Sequence, residues 1–407
     1  MAGSALGFYT GGSFFYGFSA FFKPIMKDLA LSYAATSLAY SLQRLEGGIL
    51  APLVGFLVDR VGPRKTSFLG SAVVGIGFIL LSQVNSLLTY YGAFVILSAG
   101  MGAASYGIGN VVVANWFRRS VGRALGLVAI GFGLSGIMVP LLVWLITAFG
   151  WRETLIFLGV GMWVVGLPLA LVLRRRPEDY GLLPDGEAAA THEAKTNLAP
   201  EVEFSVGQAL RTRAFWMLTV AATVHSAVHG AVFVHVIAYL TEVGIATEIA
   251  GLTVMFITLL SLVGRIGLAW LSDLWDKRWV YAIAMGLQGV GVLLLAFVHE
   301  PWQLVPFLLT FGPGYGGLGP LRPAFQRDYF GRSGFGAIQG MVLGLATVGG
   351  IASPVFAGWV RDVSGGYRPA FLIVAAIGLL GAPAILFARR PRKPLPASVE
   401  AAHSATP

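Results

Sequence analysis

Cysteine is absent from this chain of 407 residues, and charged side chains make up only 12% of it. The absence of cysteine excludes disulfides and thiolate metal sites. The scarcity of charge excludes an ordinary soluble domain, in which about a quarter of the residues are charged. Hydrophobic residues account for 56% of the chain, and 54 residues are glycine. This composition is typical of a polytopic helical membrane protein, in which glycine lets neighbouring helices approach closely.

Apolar runs long enough to cross a bilayer recur along the whole chain. We predict twelve membrane spans, numbered 1 to 12 in chain order, at residues 5–27, 36–58, 67–87, 90–115, 123–148, 152–173, 214–240, 248–271, 279–298, 302–326, 335–360 and 368–389. The first run exceeds the apolar core of a cleavable signal peptide, so we expect it to be a span. The longest polar stretch, 174–212, separates six spans from six and suits a flexible linker with a short surface helix.

The two sets of six spans carry a repeated pattern. In spans 5 and 11 a second glycine follows the first by ten residues, and a proline comes four residues later. The matching residues are Gly126, Gly136 and Pro140 in span 5 and Gly340, Gly350 and Pro354 in span 11. The expected fold class is therefore an all-α membrane protein with twelve transmembrane helices in two pseudo-symmetric six-helix bundles, at 1–173 and 213–389. Such duplicated halves are a transporter architecture, with the substrate site between them near mid-membrane.

The basic residues predict the orientation of the chain. Twenty of the 28 lie in the loops and tail that share one side of the membrane, and five lie in the loops of the other side. Basic loops stay in the cytoplasm, so we expect both termini, the 174–212 linker and the 390–407 tail to be cytoplasmic, in a plasma (inner) membrane. This placement accounts for the net charge of +9 without a nucleic-acid partner.

The loop between spans 2 and 3, "GFLVDRVGPRK" at 55–65, resembles the loop signature of the major facilitator superfamily. Asp59, Arg60 and Arg64 occupy matching places, and Asp273 lies in the stretched counterpart of the second half. A carboxylate at a helix end can pair with basic groups and hold two bundles closed until they rock apart. We therefore expect these four residues to form a cytoplasmic gate.

Two further stretches, 114–136 and 354–371, resemble the monocarboxylate transporters and the oxalate–formate antiporters. The resemblance implies a secondary transporter, not an enzyme, that carries a small monocarboxylate of the lactate and pyruvate class by proton symport with alternating access. The alternative is an organic-anion antiporter of the oxalate and formate type. The expected partners are the anion, the proton and the lipid bilayer; we expect a monomer, with no cofactor and no metal.

Arg265 lies alone in the apolar stretch "TLLSLVGRIGLAWLSD" of span 8, with no acidic residue within four positions. A charge inside a span costs about 3 kcal/mol on insertion scales and marks a transport pathway by default. Its guanidinium can hold a carboxylate through two parallel hydrogen bonds. In the families that the chain resembles, an arginine at this place in helix 8 contacts the substrate carboxylate. Snorkelling to the membrane surface, or a structural partner such as Glu46, is the alternative.

The chain departs from those families at three places. Animal monocarboxylate transporters place an aspartate one turn before this arginine, where the chain has Ser261, and a lysine in helix 1, where it has Tyr16. Oxalate carriers add a lysine in helix 11, and span 11 has none. A single fixed cation favours a monocarboxylate over a dicarboxylate. The departures also leave the proton carrier to be found elsewhere.

Span 7 contains His225, His229 and His235, whose side-chain type titrates near neutrality. We select His235, on a different face from the other two, as substrate ligand and proton carrier. Glu46, two residues after Arg44, is the second proton candidate, because an acid inside a span is functional by default. For each of these groups, local hydrogen bonding and packing is the alternative.

Further polar groups are expected to line the substrate cavity. Tyr106 and Asn110 are one turn apart in span 4, Tyr315 lies in the glycine- and proline-rich span 10, and Tyr16 lies in span 1. Their hydroxyl and amide groups suit the carboxylate and the second oxygen of a hydroxy or keto acid. Helix packing is the alternative for each. Arg322, near the inner end of span 10, is interpreted as snorkelling or gate-forming.

Overall fold

The structure, a computed structural model, describes residues 1–104, 112–113, 116, 130–174, 177, 181, 204–331 and 335–391. The side chains of 45–53, 55, 59, 335 and 336 lie outside this description. The described residues form helices joined by short connections and contain no strand. This is the all-α architecture that the composition predicts, because only helices satisfy every backbone group within a single span.

Each predicted span coincides with a helix. The helices are Ala2–Thr10 and Phe18–Asp28 in span 1, Tyr33–Val61 in span 2, Pro63–Ser82 in span 3, Leu87–Ala104 in span 4, Ile130–Phe149 in span 5, Trp151–Val172 in span 6, Arg213–Glu242 in span 7, Thr247–Leu274 in span 8, Lys277–Leu295 in span 9, Leu304–Phe330 in span 10, Phe335–Ser364 in span 11 and Arg368–Leu386 in span 12. The 174–212 stretch contains the short helix Val206–Leu210, which begins with a capping box of Ser205 and Gln208.

Within the described part of the chain, nine helices have the length and apolar composition to cross a membrane. Spans 1, 2 and 10 are the three that do not meet these limits. Span 1 is interrupted by a π-helical segment, Gly11–Tyr16, and span 10 contains three prolines. π-segments and prolines in helices are common at functional sites and hinges.

The first six spans pack against one another, and so do the last six. Among the described residues, the most extensive contacts between the two halves join span 1 with span 7, span 2 with span 11, and span 5 with span 8. Small residues allow the close approach at these crossings. Gly136 of span 5 lies against Thr258 of span 8, and Gly358 of span 11 lies against the backbone of Tyr33 in span 2.

We call the end of the molecule that carries the connection between spans 1 and 2 the outer end, following the predicted orientation. Here Asp362 of span 11 accepts hydrogen bonds from the backbone N–H groups of Tyr33 and Ala34, at 3.1 and 3.0 Å. A carboxylate at a helix N-terminus is favourable because it meets unpaired N–H groups and the positive end of the helix dipole. Lys23 also donates to Thr241 across the interface, at 2.7 Å. These contacts clamp the two halves together at the outer end.

Asp362→Asn should loosen this clamp, because the amide loses the charge that strengthens both hydrogen bonds. A loss of about 1.4 kcal/mol shifts the open population about tenfold. The cysteine-free chain allows a direct test with Ser41→Cys, since Ser41 is fully buried at this interface and bonds Ile351 of span 11. We expect an impermeant maleimide to label this cysteine several-fold faster from outside when Asp362→Asn is present.

The matched control is Asp328→Asn, which removes an aspartate that pairs with Lys277 inside the second half, at 2.6 Å. It should leave the labelling rate unchanged. Equal rates in the Asp362 variant and its parent would show that Asp362 does not hold the outer end closed.

Candidate substrate site between the two halves

Arg265 lies half-buried in span 8, on the side of the helix that faces span 5. A Cβ atom at Gly133 of span 5 would lie 4.0 Å from its Nη1 atom. Its Nε atom is buried, and among the described residues it has no hydrogen-bond partner. The guanidinium is therefore held at the contact between the two halves.

Two glycines place Arg265 by bringing spans 8 and 10 into backbone contact. A Cβ atom on Gly264 would lie 2.6 Å from the Cα atom of Pro313, and one on Gly316 would lie 2.6 Å from that of Ser261. Both distances are shorter than real Cβ contacts, so glycine is required at both positions. Ser261 is fully buried, and its hydroxyl donates to the Thr258 carbonyl of its own helix. The site thus has a small, locally bonded hydroxyl one turn before Arg265.

Two tyrosines meet beside Arg265. The hydroxyls of Tyr16 in span 1 and Tyr315 in span 10 are 3.1 Å apart. Tyr315 lies next to Gly316, which packs on the backbone of Ser261 one turn before Arg265. Tyr16 packs on Phe132, the neighbour of Gly133. Tyr16 is positioned by the π-helical segment of span 1, and Tyr315 lies between the close-packed glycines of span 10. The structure therefore brings together three of the predicted site residues, which the chain separates by as many as 299 positions.

Aromatic rings enclose this centre. Tyr16 lies 5.0 Å from Phe233 and 5.7 Å from Phe132, and Tyr315 lies 5.1 Å from Phe233, measured between ring centroids. Phe15, next to Tyr16, lies 5.3 Å from Phe132. Spans 1, 5, 7 and 10 thus supply an apolar wall around the polar groups. Such walls with a few placed polar groups are typical of small-molecule sites.

Arg44 is a second guanidinium at the same interface, which corrects the expectation of a single fixed cation. From span 2 it reaches span 7, where its Nη2 atom lies 2.6 Å from Nδ1 of His229 and its Nη1 atom donates to Ser226 at 3.5 Å. Its guanidinium also lies over the rings of Phe15 and Tyr40, at 5.7 and 5.4 Å. Two sequence features point to this contact: an arginine inside span 2 and two histidines one turn apart in span 7. Periodicity alone does not show that the arginine and the histidines face each other.

Three buried hydrogen-bond donors at this interface lack acceptors. Among the described residues, Nε of Arg44, Nε2 of His229 and Nε of Arg265 have no partner; the acceptor Oε1 of Gln43 in span 2 has none either. A buried donor that stays unpaired costs about 1–3 kcal/mol, and more when it is charged. Donors without acceptors therefore favour the entry of an anion.

The two other histidines of span 7 bond to neutral groups. Nδ1 of His225 lies 3.1 Å from Oε1 of Gln288, and the ring stacks on Tyr315 at 5.8 Å. His235 is fully buried; Nδ1 lies 2.9 Å from the Tyr367 hydroxyl, and Nε2 lies 2.8 Å from the Pro354 carbonyl and 3.2 Å from Ser37. Among the described residues, no three His, Cys, Asp or Glu side chains lie together in a group that could hold a metal ion. The structure does not bring His235 together with Arg265, so its transport role stays a prediction without geometric support.

The predicted gate residues lie near the inner end, opposite the outer clamp. Arg60, Arg64 and Asp273 are exposed, and none of them forms an ion pair with another described residue. Ion pairs at this end instead join residues of the second half, such as Asp276 and Arg278 at 2.6 Å. The gate therefore stays a prediction.

Four predicted residues are not placed as side chains. Tyr106 and Asn110 lie outside the described residues, and the side chains of Glu46 and Asp59 lie outside the description of span 2. Their predicted roles therefore remain predictions. Nε of Arg322 is buried, although the sequence favoured a snorkelling or gate role for this arginine.

The family model described as Major Facilitator Superfamily matches residues 3–276 and 242–406, which together cover nearly the whole chain. The chain belongs to the major facilitator superfamily. Its fold is the twelve-helix fold of that superfamily in two halves, and its relatives are transporters, not enzymes. The predicted superfamily and fold class are thus confirmed.

Curated relatives of this superfamily member include monocarboxylate transporters. Monocarboxylate transporter 12 of Mus musculus is 27% identical over 378 residues, which cover 87% of this chain and 77% of the relative. Monocarboxylate transporter 13 of Bos taurus is 26% identical over 337 residues, 81% of this chain and 75% of the relative. The Oxalate:formate antiporter of Oxalobacter formigenes is 28% identical over 207 residues, 51% of this chain and 46% of the relative. The predicted kinship with both groups is confirmed.

Solved structures share the fold at low sequence identity. A bacterial homologue of the human lysosomal transporter Spinster, in an inward-facing and occupied conformation, matches with a TM-score of 0.72 and 14% identity over 95% of this chain and 94% of that chain. The nucleoside transporter NupG matches with a TM-score of 0.73 and 13% identity over 95% and 98%.

Proposed function

We propose that this superfamily member carries a small monocarboxylate of the lactate and pyruvate class by proton symport with alternating access. The observation that carries the proposal is the half-buried guanidinium of Arg265 at the contact between the halves, near the paired hydroxyls of Tyr16 and Tyr315. A carboxylate fits this arrangement, because it supplies acceptors to the guanidinium and to both hydroxyls. The relatives named monocarboxylate transporters support the same substrate class.

Alternating access follows from a ligand that binds both halves. Tyr16 belongs to the first half, and Arg265 and Tyr315 belong to the second. An anion between them replaces the missing acceptors and favours the closed arrangement of the halves around it. We place the protein in the plasma (inner) membrane as a monomer, with both termini in the cytoplasm, on the strength of the basic loops.

An organic-anion antiporter of the oxalate and formate type is the second candidate. The observation that favours it is Arg44, because two guanidiniums at one interface suit two carboxylates. In this structure, however, Arg44 is bonded to His229. We therefore prefer one carboxylate on Arg265.

Uptake of labelled L-lactate into proteoliposomes tests the two candidates. Symport of one proton per anion should accumulate lactate about tenfold for each pH unit of an inward proton gradient, since one pH unit is worth 1.36 kcal/mol. A protonophore should abolish the accumulation. Uptake that ignores the gradient would contradict symport. Oxalate–formate counterflow at equal pH, without net lactate uptake, would favour the antiporter.

A further inference from the structure

The contact between Arg44 and His229 determines which ring nitrogen of His229 carries a proton. A guanidinium only donates hydrogen bonds, so Nδ1 of His229, 2.6 Å from Nη2 of Arg44, must accept. The imidazole is therefore neutral and carries its proton on Nε2. That Nε2–H group is buried and has no partner among the described residues.

Protonation of His229 and this contact exclude each other. A second proton on Nδ1 turns the acceptor into a donor and creates a cation 2.6 Å from another cation. Arg44 must then move away from the ring. Both groups would be left with free N–H donors beside Phe15 and Tyr315, whose rings stack on His229 at 5.2 and 5.3 Å.

The charges around the pair oppose protonation while the site is empty. The charged and titratable groups packed around it are Arg44 and Tyr40 of span 2, His225 one turn earlier in span 7 and Tyr315 of span 10. Tyr16 of span 1 packs on the same Phe233 ring as His229. The described members of this set include one guanidinium and no carboxylate; the side chain of Glu46 lies outside the description. A bound carboxylate would remove the opposition, because its charge balances the added proton.

We propose that His229 is the proton-binding residue of the transport cycle and that Arg44 makes its protonation conditional on a bound anion. The proposal rests on the proposed function and names the residue that carries the proton there. A proton from the medium adds to Nδ1, Arg44 leaves that nitrogen, and the negative charge of the carboxylate on Arg265 balances the new imidazolium. The site loaded with both ions then has the same net charge as the empty site, so the protein can change between its outward and inward orientations in both states. A site that holds only the anion or only the proton has a different net charge, and the protein cannot reorient with it.

The first test counts protons taken up by the full-length protein as it binds L-lactate, from calorimetry in buffers of different ionisation heat. We expect about one proton per lactate for the parent protein, because one imidazole is protonated in each cycle. His229→Asn keeps an acceptor near the position of Nδ1 but cannot be protonated, and it should reduce the count to near zero. His229→Gln should behave in the same way.

In proteoliposomes, the ratio of proton-driven lactate uptake to lactate–lactate exchange should fall at least tenfold in the same two variants. The matched control is His299→Gln, which makes the same substitution at an exposed position, where Nδ1 bonds the Phe297 carbonyl. It should keep the ratio of the parent protein. His235→Gln tests the rival histidine of span 7.

Arg44→Gln gives an independent readout that does not need a folded His229 variant. Removing the cation should let His229 take its proton at higher pH, so half-maximal uptake should move upward by about one pH unit or more. An unchanged pH profile in Arg44→Gln would overturn this inference but not the proposed function. So would proton-driven uptake that survives both His229 variants and is lost in His235→Gln. A parent protein that neither binds nor exchanges lactate would overturn the proposed function, and this inference with it.

Discussion

Arg265→Gln is expected to lower L-lactate uptake at least about 30-fold, because removing one partner of a hydrogen-bonded charge pair costs about 2–5 kcal/mol. Glutamine keeps a donating amide but loses the charge and the planar fork that meets both carboxylate oxygens. Arg265→Lys keeps the charge, so its uptake rate should lie between those of the parent protein and Arg265→Gln. Uptake rates in proteoliposomes, normalised to reconstituted protein, measure the effect.

The control is Arg211→Gln, which removes an exposed arginine outside the spans and should leave uptake unchanged. Stability provides a second readout of Arg265. No described residue pairs with its guanidinium, so Arg265→Gln should not lower the thermal midpoint. If Arg265→Gln lowers the thermal midpoint strongly and the added change Glu46→Gln restores it, then Glu46 is a structural partner of Arg265. Normal transport by Arg265→Gln would show that this arginine is not the anion ligand.

Gly264→Ala is expected to have the second largest effect, on both stability and transport. The new methyl group would meet the backbone of Pro313, which cannot rotate away as a side chain can. Overpacking of this kind costs about 1–3 kcal/mol. Spans 8 and 10 must separate to accept it, and that movement displaces the neighbouring Arg265. A displacement of about 1 Å at a positioned group can lower a rate about 100-fold.

Gly267→Ala is the matched control, since it makes the same change one turn further along the same helix. A Cβ atom there would meet nothing within 4 Å. Alanine favours the helix slightly more than glycine does, so stability should hold or rise. Thermal unfolding in detergent and lactate uptake should separate the two variants. If they behaved alike, the close contact between spans 8 and 10 would not be what positions Arg265.

Hydropathy placed each span on a helix, and the predicted ends that the structure describes lie within a few residues of the helix ends, even where Tyr33–Val61 extends beyond them. The predicted inner ends of spans 4 and 5 lie outside the described residues. This success has a simple cause, because a bilayer requires an apolar run of fixed length at each crossing. Arg265 was found for the same reason, since a single charge stands out against such a run. The halves were recognisable because their glycine and proline spacing repeats.

The interface side of each helix could not be predicted in this way. His229 and His235 lie in one apolar helix in which lipid-facing and protein-facing residues have similar hydropathy, and the sequence led us to select His235. The structure instead places His235 among neutral partners and His229 against Arg44. Arg44 was likewise not counted as an interface cation.

The sequence by itself therefore determined the class of protein, the number and position of its spans and the isolated guanidinium in span 8. Composition and periodicity carry that information because the membrane acts on every residue of a span in the same way. Only the tertiary structure decided which polar groups meet between the halves: Tyr16 with Tyr315 beside Arg265, and Arg44 with His229. Those contacts depend on how each helix is rotated, and close packing at residues such as Gly264 and Gly316 sets that rotation.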